Sequence, residues 1–375
     1  IFGLGDDYSL FIMDGLLQQY KKGKRNLSSF KSSIFLSAIT TISGLGVLIF
    51  AEHPALRSIA FISIIGIVCL VLMSQVLIPF LFNRLITSRI KQNKFPWTFS
   101  GWLKSIVAFS YFVAGVVLLT LIGFIFSKIN PFNKEKGKLV FHTILSRFSW
   151  SLMYIMGNVK KEIINPLQEN FSKPAIVICN HQSFLDILAV IMLHPKLILF
   201  TNKWVWNSPV FGVVVRLADY YPVSQGATEN IDLLAEKVRQ GYSIMIFPEG
   251  TRSPEGVMQR FHKGAFYLAE KLHTDILPIV IQGTGYTMTK GDFLLKDGKV
   301  TLQFLPRITP ENDHYGTGYS ERTKNIGKYF RAQHLLLKEK TEQTHYFRER
   351  LTYNYLYKGP VLEWYLRVKL HLEKN

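Results

Sequence analysis

Three stretches of this sequence run almost without charge over lengths that a soluble core does not need: Ile34–Phe50, Ile59–Phe82 and Ile106–Phe126. A helix crosses the hydrocarbon layer of a bilayer with about 20 apolar residues. Each run approaches or exceeds that, so the first third of the chain reads as a membrane region. It is expected to be helical, because backbone groups in lipid have to bond within their own segment. Between the first two runs lies a short loop, Ala51–Ser58, and the flanks outside them are basic: Lys21, Lys22, Lys24, Arg25 and Lys31 before, Arg84, Arg89, Lys91 and Lys94 after. The excess of Lys and Arg puts both flanks on the cytoplasmic side of an inner, cytoplasmic membrane crossed more than once. The third run conflicts with this, since a full crossing would carry everything after it outside, yet Lys128–Lys138 is again basic. We expect a hairpin that enters the cytoplasmic leaflet and returns, with a full crossing as the alternative. Leu139–Met156, apolar but carrying His142 and Arg147, reads as an interfacial helix.

A net charge of +18 over 375 residues suits an anionic bilayer surface and acidic substrates. Nucleic acid is excluded as a partner, because no zinc-finger spacing or aromatic-basic repeat accompanies the charge. The cysteines, Cys69 and Cys179, lie far apart in apolar surroundings, which argues against a disulfide framework or a cysteine-held metal. The chain opens on Ile1, and Gly3-Leu4-Gly5-Asp6-Asp7-Tyr8 reads like the interior of a longer protein.

From about Lys160 the texture becomes that of an α/β domain. Strands are expected at Ala175–Cys179, Ile198–Thr201, Ser243–Phe247, Ile276–Gln282 and Val300–Phe304, and helices at Ser183–Leu193, Asn230–Gln240 and Lys263–Lys271. Alternation of this kind predicts a mostly parallel sheet flanked by helices. The chain thus divides into membrane helices at 1–100, a membrane-embedded or interfacial hairpin at 101–159, the α/β domain at 160–319, and a charged helical tail or linker at 320–375.

Two strings carry the chemistry, Asn180-His181-Gln182-Ser183-Phe184-Leu185-Asp186 and Phe247-Pro248-Glu249-Gly250-Thr251-Arg252-Ser253. Each follows a predicted strand, where ligands of such sheets bind. His181 is a candidate general base and Asp186 the acid that would fix its tautomer. Asp186 also fits a capping box opened by Ser183, and the two roles are compatible. Gly250 would let a phosphate approach the backbone, Thr251 offers a hydroxyl and Arg252 a bidentate fork, with Glu249 in the same turn. An ordinary polar turn would need the same Pro248 and Gly250. Arg216 is a second phosphate candidate, against a solvated charge at a helix end. Cys179 reads as a buried strand residue and not as a nucleophile. Gly283-Thr284-Gly285 lacks the third glycine of a dinucleotide loop.

Together with Pro209-Val210-Phe211-Gly212 leading to Arg216, and with Leu277-Pro278-Ile279-Val280, these strings resemble the four ordered blocks of the lysophospholipid (1-acylglycerol-3-phosphate) acyltransferase family, over roughly Trp150 to Pro310. The resemblance implies an acyl thioester donor, either acyl-CoA or acyl carrier protein, a lysophospholipid acceptor, no metal, and direct transfer without an acyl-enzyme. By position it makes His181 the base, Asp186 its partner, and Glu249, Gly250, Thr251, Arg252 and Arg216 the acceptor-phosphate site. The N-terminal part resembles the last helices of MMPL-type exporters of the resistance-nodulation-division superfamily, in which the acid of a Gly-x-Asp-Tyr segment relays protons. Asp7 and Tyr8 stand at that place, so a fusion of the two kinds of protein is expected. The alternative is the end of a lipid exporter whose soluble domain binds or modifies its cargo.

Overall fold

The structure, a computed structural model, describes residues 2–22, 27–91, 99–129, 134–201, 203–208, 212–222, 231–253 and 257–341. They form two compact units, one up to residue 91 and one from residue 99 onward.

The first unit is helical. Helices α1 (Phe2–Lys22), α2 (Leu27–Gly46) and α3 (Pro54–Leu72) are followed by α4 (Ile78–Phe82) and α5 (Ser88–Lys91), with wider π turns at Met73–Leu77 and Asn83–Thr87. Pro79 has no N–H to donate to the carbonyl four residues back, so the regular ladder cannot continue through it. Tyr8, Ile12, Leu16, Ile34, Ala38 and Ile67 make a small core, while Phe35, Phe50, Ile62 and Val76 face outward. An exterior this apolar suits lipid. Leu27–Phe50 and Pro54–Thr87 are each long and apolar enough to cross a membrane, as is Gly101–Ile125 in the second unit.

The second unit begins with α6 (Phe99–Ile129) and α7 (Lys134–Ile155). The apolar run Ile106–Phe126 does not turn back on itself. It lies within one unbroken helix of 31 residues, about 46 Å long at 1.5 Å per residue. The returning limb is α7, laid against α6. Gly115 admits the Phe148 ring and Gly123 admits Leu217, each at a point where a Cβ would collide. Tyr111 and Ser151 join the helices hydroxyl to hydroxyl at 2.8 Å. Lys138 of α7 and Lys237 both pair with Asp219, at 2.7 and 3.0 Å, which ties the pair to the α/β layers. The hairpin and the sheet, expected as separate regions, therefore belong to one unit.

A seven-stranded sheet runs β1-β7-β6-β2-β5-β3-β4, with β1 Val159–Ile164, β2 Ile176–Cys179, β3 Leu197–Thr201, β4 Tyr221–Pro222, β5 Ser243–Ile246, β6 Ile276–Gln282 and β7 Gly298–Phe304. Every pairing is parallel except β6 with β7. The central strands are buried on both faces, and their alternating side chains feed two cores. Val177, Cys179, Leu199 and Met245 point toward α6, α7, α8 (Leu185–Ile191) and, past the short α9 (Lys203–Trp206), α10 (Gly212–Leu217). Ile176, Ile178, Ile244 and Val280 point the other way, where α11 (Ile231–Arg239), α12 (Gly264–Lys271) and, beyond the single turn α13 (Thr284–Thr287), α14 (Tyr319–Thr341) cover them. The sequence reading missed β1 because Lys160, Lys161 and Glu162 interrupt its apolar residues. It is an edge strand in which only Val159 is buried.

The largest correction concerns residues 319–341, expected to open a tail. Ile326, Phe330 and Leu337 are buried against Phe261 and Phe266, so α14 completes the second core. Its apolar residues are spaced for one face of a helix, while the dense Lys, Arg and Glu between them give the segment the charged character of a tail. Val361–Leu372 lies outside the described residues. Replacing the fully buried Phe330 by Ala is expected to cost about 3–5 kcal/mol. Chemical unfolding of the detergent-solubilised protein measures this, and a change below about 0.5 kcal/mol would mean the helix is not part of the core.

Candidate active site

The two motifs leave the carboxyl ends of β2 and β5, which are neighbours in the sheet. Asn180 fixes the first turn by pairing with the backbone of Ile281, donating through Nδ2 at 2.7 Å and accepting through Oδ1 at 2.8 Å. The backbone of His181 is then held at both ends by the second motif. Its N–H donates to Oε1 of Glu249 at 2.8 Å, and its carbonyl accepts from the Ser253 N–H at 2.7 Å.

The His181 ring stacks on Phe247, centroids 4.1 Å apart. Its Nδ1 lies 3.0 Å from Oδ2 of Asp186, a carboxylate with no solvent exposure. That oxygen also accepts the Gln182 and Ser183 N–H groups at 2.6 and 2.7 Å. Asp186 thus reaches back across the first turn of α8 and lies against the histidine ring with the same oxygen. Donation of the Nδ1 proton to Asp186 leaves the Nε2 lone pair as the basic site.

His181 lines a cavity of about 840 Å³, together with Gly250, Arg252, His262 and Asp292. Gly250 has φ +70°, a left-handed conformation that disfavours a side chain, and a Cβ there would meet the His262 ring at 3.2 Å. The remaining walls are mostly apolar.

Three expected site residues stand elsewhere. Glu249 does not face the cavity as a phosphate partner. It is buried, and its second oxygen accepts from Ser253 Oγ at 2.6 Å and the Gln259 N–H at 2.7 Å. Burial pushes its pKa up although all three donors pull it down. Its task is to join the motifs. Arg216 is exposed on α10 and donates to the Trp206 carbonyl at 2.7 Å, outside the cavity lining. Thr251 is exposed and is likewise absent from the lining. Residues 209–211 of the second block fall outside the described residues. Cys179 is a fully buried strand residue whose thiol is pushed up by burial and by Asp186. In the first unit, Tyr8 donates to Ser37 Oγ at 3.2 Å and, with Asp7, borders a hollow of about 290 Å³.

Sequence reasoning missed His262 and the segment Met288–Phe293. His262 arrives because its N–H donates to the Pro248 carbonyl at 2.7 Å, a contact with no spacing signature. Met288 reaches the cavity wall and its carbonyl accepts from Ser183 Oγ at 2.8 Å. A further support comes from α14. Gln182 Nε2 donates to Nε2 of the buried His334 at 3.2 Å, so that ring accepts and carries its proton on Nδ1. Among the described residues no group of three or more His, Cys, Asp or Glu is placed to hold a metal ion.

Residues 158–282 match the family model described as Acyltransferase. Both motifs lie within that segment. A chloroplastic 1-acyl-sn-glycerol-3-phosphate acyltransferase of Brassica napus is 31% identical over 200 residues, covering 51% of this chain and 57% of the relative. The human 1-acyl-sn-glycerol-3-phosphate acyltransferase beta is 30% identical over 174 residues, covering 44% and 62%. The chain thus spans little more than half the length of the curated relatives it matches. Among solved structures, the 1-acyl-sn-glycerophosphate acyltransferase PlsC of Thermotoga maritima aligns with a TM-score of 0.49 at 21% identity, over 59% of this chain and 95% of that one.

Two outcomes follow from this geometry. In Glu249→Gln the side chain keeps one acceptor oxygen, so an amide N–H₂ must face either the His181 N–H or the Ser253 and Gln259 donors. A loss of about 1–3 kcal/mol in unfolding free energy is expected, and an unchanged value would dismiss the clamp. The second concerns pH. Burial, helped by Lys338, lowers the pKa of His334 from the usual 6.5 to about 4. Between those values the unfolded chain binds a proton that the folded one refuses, so stability falls as pH drops through that window. The loss is on the order of 3 kcal/mol for His334. His334→Gln, which can still accept from Gln182, should lose less stability than wild type over the same pH range in parallel unfolding curves; identical curves would refute this.

Proposed function

We propose that the second unit transfers an acyl group from a CoA or acyl-carrier-protein thioester to the hydroxyl of a lysophosphatidic-acid-like acceptor. The observation that carries this is the His181–Asp186 pair at 3.0 Å opening onto a large, mostly apolar cavity that Arg252 also lines. The names of the two relatives, both 1-acyl-sn-glycerol-3-phosphate acyltransferases, support the same reading.

The alcohol is a weak nucleophile near neutral pH. Nε2 of His181 takes its proton as the oxygen attacks the thioester carbonyl, and Asp186 stabilises the imidazolium that forms. The tetrahedral intermediate collapses with loss of the thiolate, which recovers the proton from Nε2 and leaves as the free thiol. The ester C–O bond replaces the C–S bond and the histidine ends neutral. Arg252 binds the acceptor phosphate, with His262 beside it. The apolar helix α6, which precedes both motifs, would hold the site at the membrane surface, and the basic flanks of the earlier helices favour the cytoplasmic face of an inner membrane.

The first unit is read here as the end of an MMPL-type exporter fused ahead of the transferase. The favouring observation is the hollow bordered by Asp7 and Tyr8 between polar residues of α1 and α2, including Ser29, Ser33 and Ser37.

Thiol release from acyl-CoA or acyl carrier protein, dependent on lysophosphatidic acid, tests the proposal. His181→Ala should lower kcat by about 10²–10⁴-fold. Arg252→Ala should raise the acceptor KM about tenfold or more, as expected for loss of a charged hydrogen bond. Acceptor-dependent release that survives His181→Ala would remove the mechanism. Failure of release with both donors, with Asp7→Asn abolishing an export phenotype, would favour the exporter reading.

A further inference from the structure

The outer face of α14 carries a line of cations. Lys324, Lys328 and Arg331 are exposed and stand four and three residues apart, so they share one side of the helix. Like charges at these spacings cost helix stability. A face that only meets water avoids that cost by interleaving acids. Here Glu321, at the start of the helix, is the acid in line with them. The segment before α12 adds two more exposed cations, Arg260 and Lys263. It runs antiparallel to α14: Arg331 donates to the Gln259 carbonyl at 3.3 Å, the Phe261 ring packs edge-on against Phe330, and Lys263 lies over the Tyr319 ring.

This surface adjoins the site. His262, between Arg260 and Lys263, lines the cavity that holds His181. His334, one turn beyond Arg331, meets Gln182 beside the catalytic turn at 3.2 Å. The three cations of α14 lie about 4–15 Å along the helix axis from His334. The surface also faces away from lipid. Helix α14 covers the second core, whereas α6, the helix apolar enough for a bilayer, covers the first, on the other side of the sheet. A membrane against α6 leaves the cations of α14 in water, so their partner is a soluble anion. A phosphate site gathers donors onto one point, but these cations follow about 10 Å of helix. A row of this kind steers and registers a macromolecule of opposite charge.

We propose that the outer face of α14, with Arg260 and Lys263, docks an acidic carrier protein that bears the acyl group as a thioester on a flexible arm. The arm enters the cavity past His262. The inference rests on the acyl-transfer reading and chooses between the two donors that reading leaves open.

The test compares thiol release by the full chain in detergent, with lysophosphatidic acid as acceptor, from palmitoylated acyl carrier protein and from palmitoyl-CoA. Lys324→Glu/Lys328→Glu, at exposed positions and checked for folding by thermal unfolding, should lower kcat/KM for the carrier-protein donor about tenfold or more relative to palmitoyl-CoA, because the reversed charges repel the partner. An equal loss with both donors would mean that the cations serve the phosphate common to both, or lipid, and would overturn the proposal. So would no loss with either, or release by wild type from palmitoyl-CoA alone. Salt gives a second reading without a variant: raising ionic strength should weaken use of the carrier protein more steeply than use of palmitoyl-CoA, and parallel weakening would count against the docking surface. Release from neither donor would bring down the acyl-transfer reading itself, an outcome distinct from transfer without discrimination.

Discussion

The site depends on one buried carboxylate. Glu249 accepts a backbone N–H from His181 through one oxygen, and a hydroxyl and a second N–H through the other. Removing a charge from water is costly unless donors replace the lost hydration. Here two of the three donors, His181 and Ser253, come from the two turns that have to meet, and Gln259 from the segment that follows. The carboxylate is stabilised only when β2 and β5 are paired and both turns have closed. Pairing of β2 with β5 and placement of the His181 backbone thus lean on the same carboxylate.

The same economy recurs around His181. Asp186 orients the ring and gathers the N–H groups of Gln182 and Ser183 on one oxygen. Asn180 binds the neighbouring strand, Ser183 binds Met288, and Gln182 binds His334 of the last helix. Each residue from 180 to 183 is fastened to a different element. In the proposed mechanism, a histidine held this firmly would need little reorganisation to act as the base.

Helices α6 and α7 join the membrane question to the chemistry. They form the far wall of the cavity, and the glycines that let them approach belong to α6. A helix apolar enough to cross a bilayer therefore also shapes the space beside His181. For a lipid substrate this allows an acyl chain to stay in apolar surroundings while its head reaches the histidine and Arg252.

Much of this was legible in the chain. Uncharged runs of membrane length announced the helices, because no soluble core demands them. Alternating strand and helix patterns announced the sheet, with Ile276–Gln282 placed to the residue. The His181–Asp186 pair was legible because both residues lie in one turn, where spacing alone brings them together. What spacing does not encode was left to the tertiary structure. Arg216 and Glu249 have the right chemistry for a phosphate, yet one caps a carbonyl on the outside and the other is consumed in joining the motifs. Charged residues hid β1, of which only Val159 is buried, and α14, whose burial depends on the elements that cover it. His262 reaches the cavity only through contacts between distant segments. The sequence by itself determined which residues could do acid–base chemistry and which segments prefer lipid, since both are properties of local composition. Which of those residues face the substrate was decided by strand order and helix packing, because a side chain's direction is set by the surface its element buries.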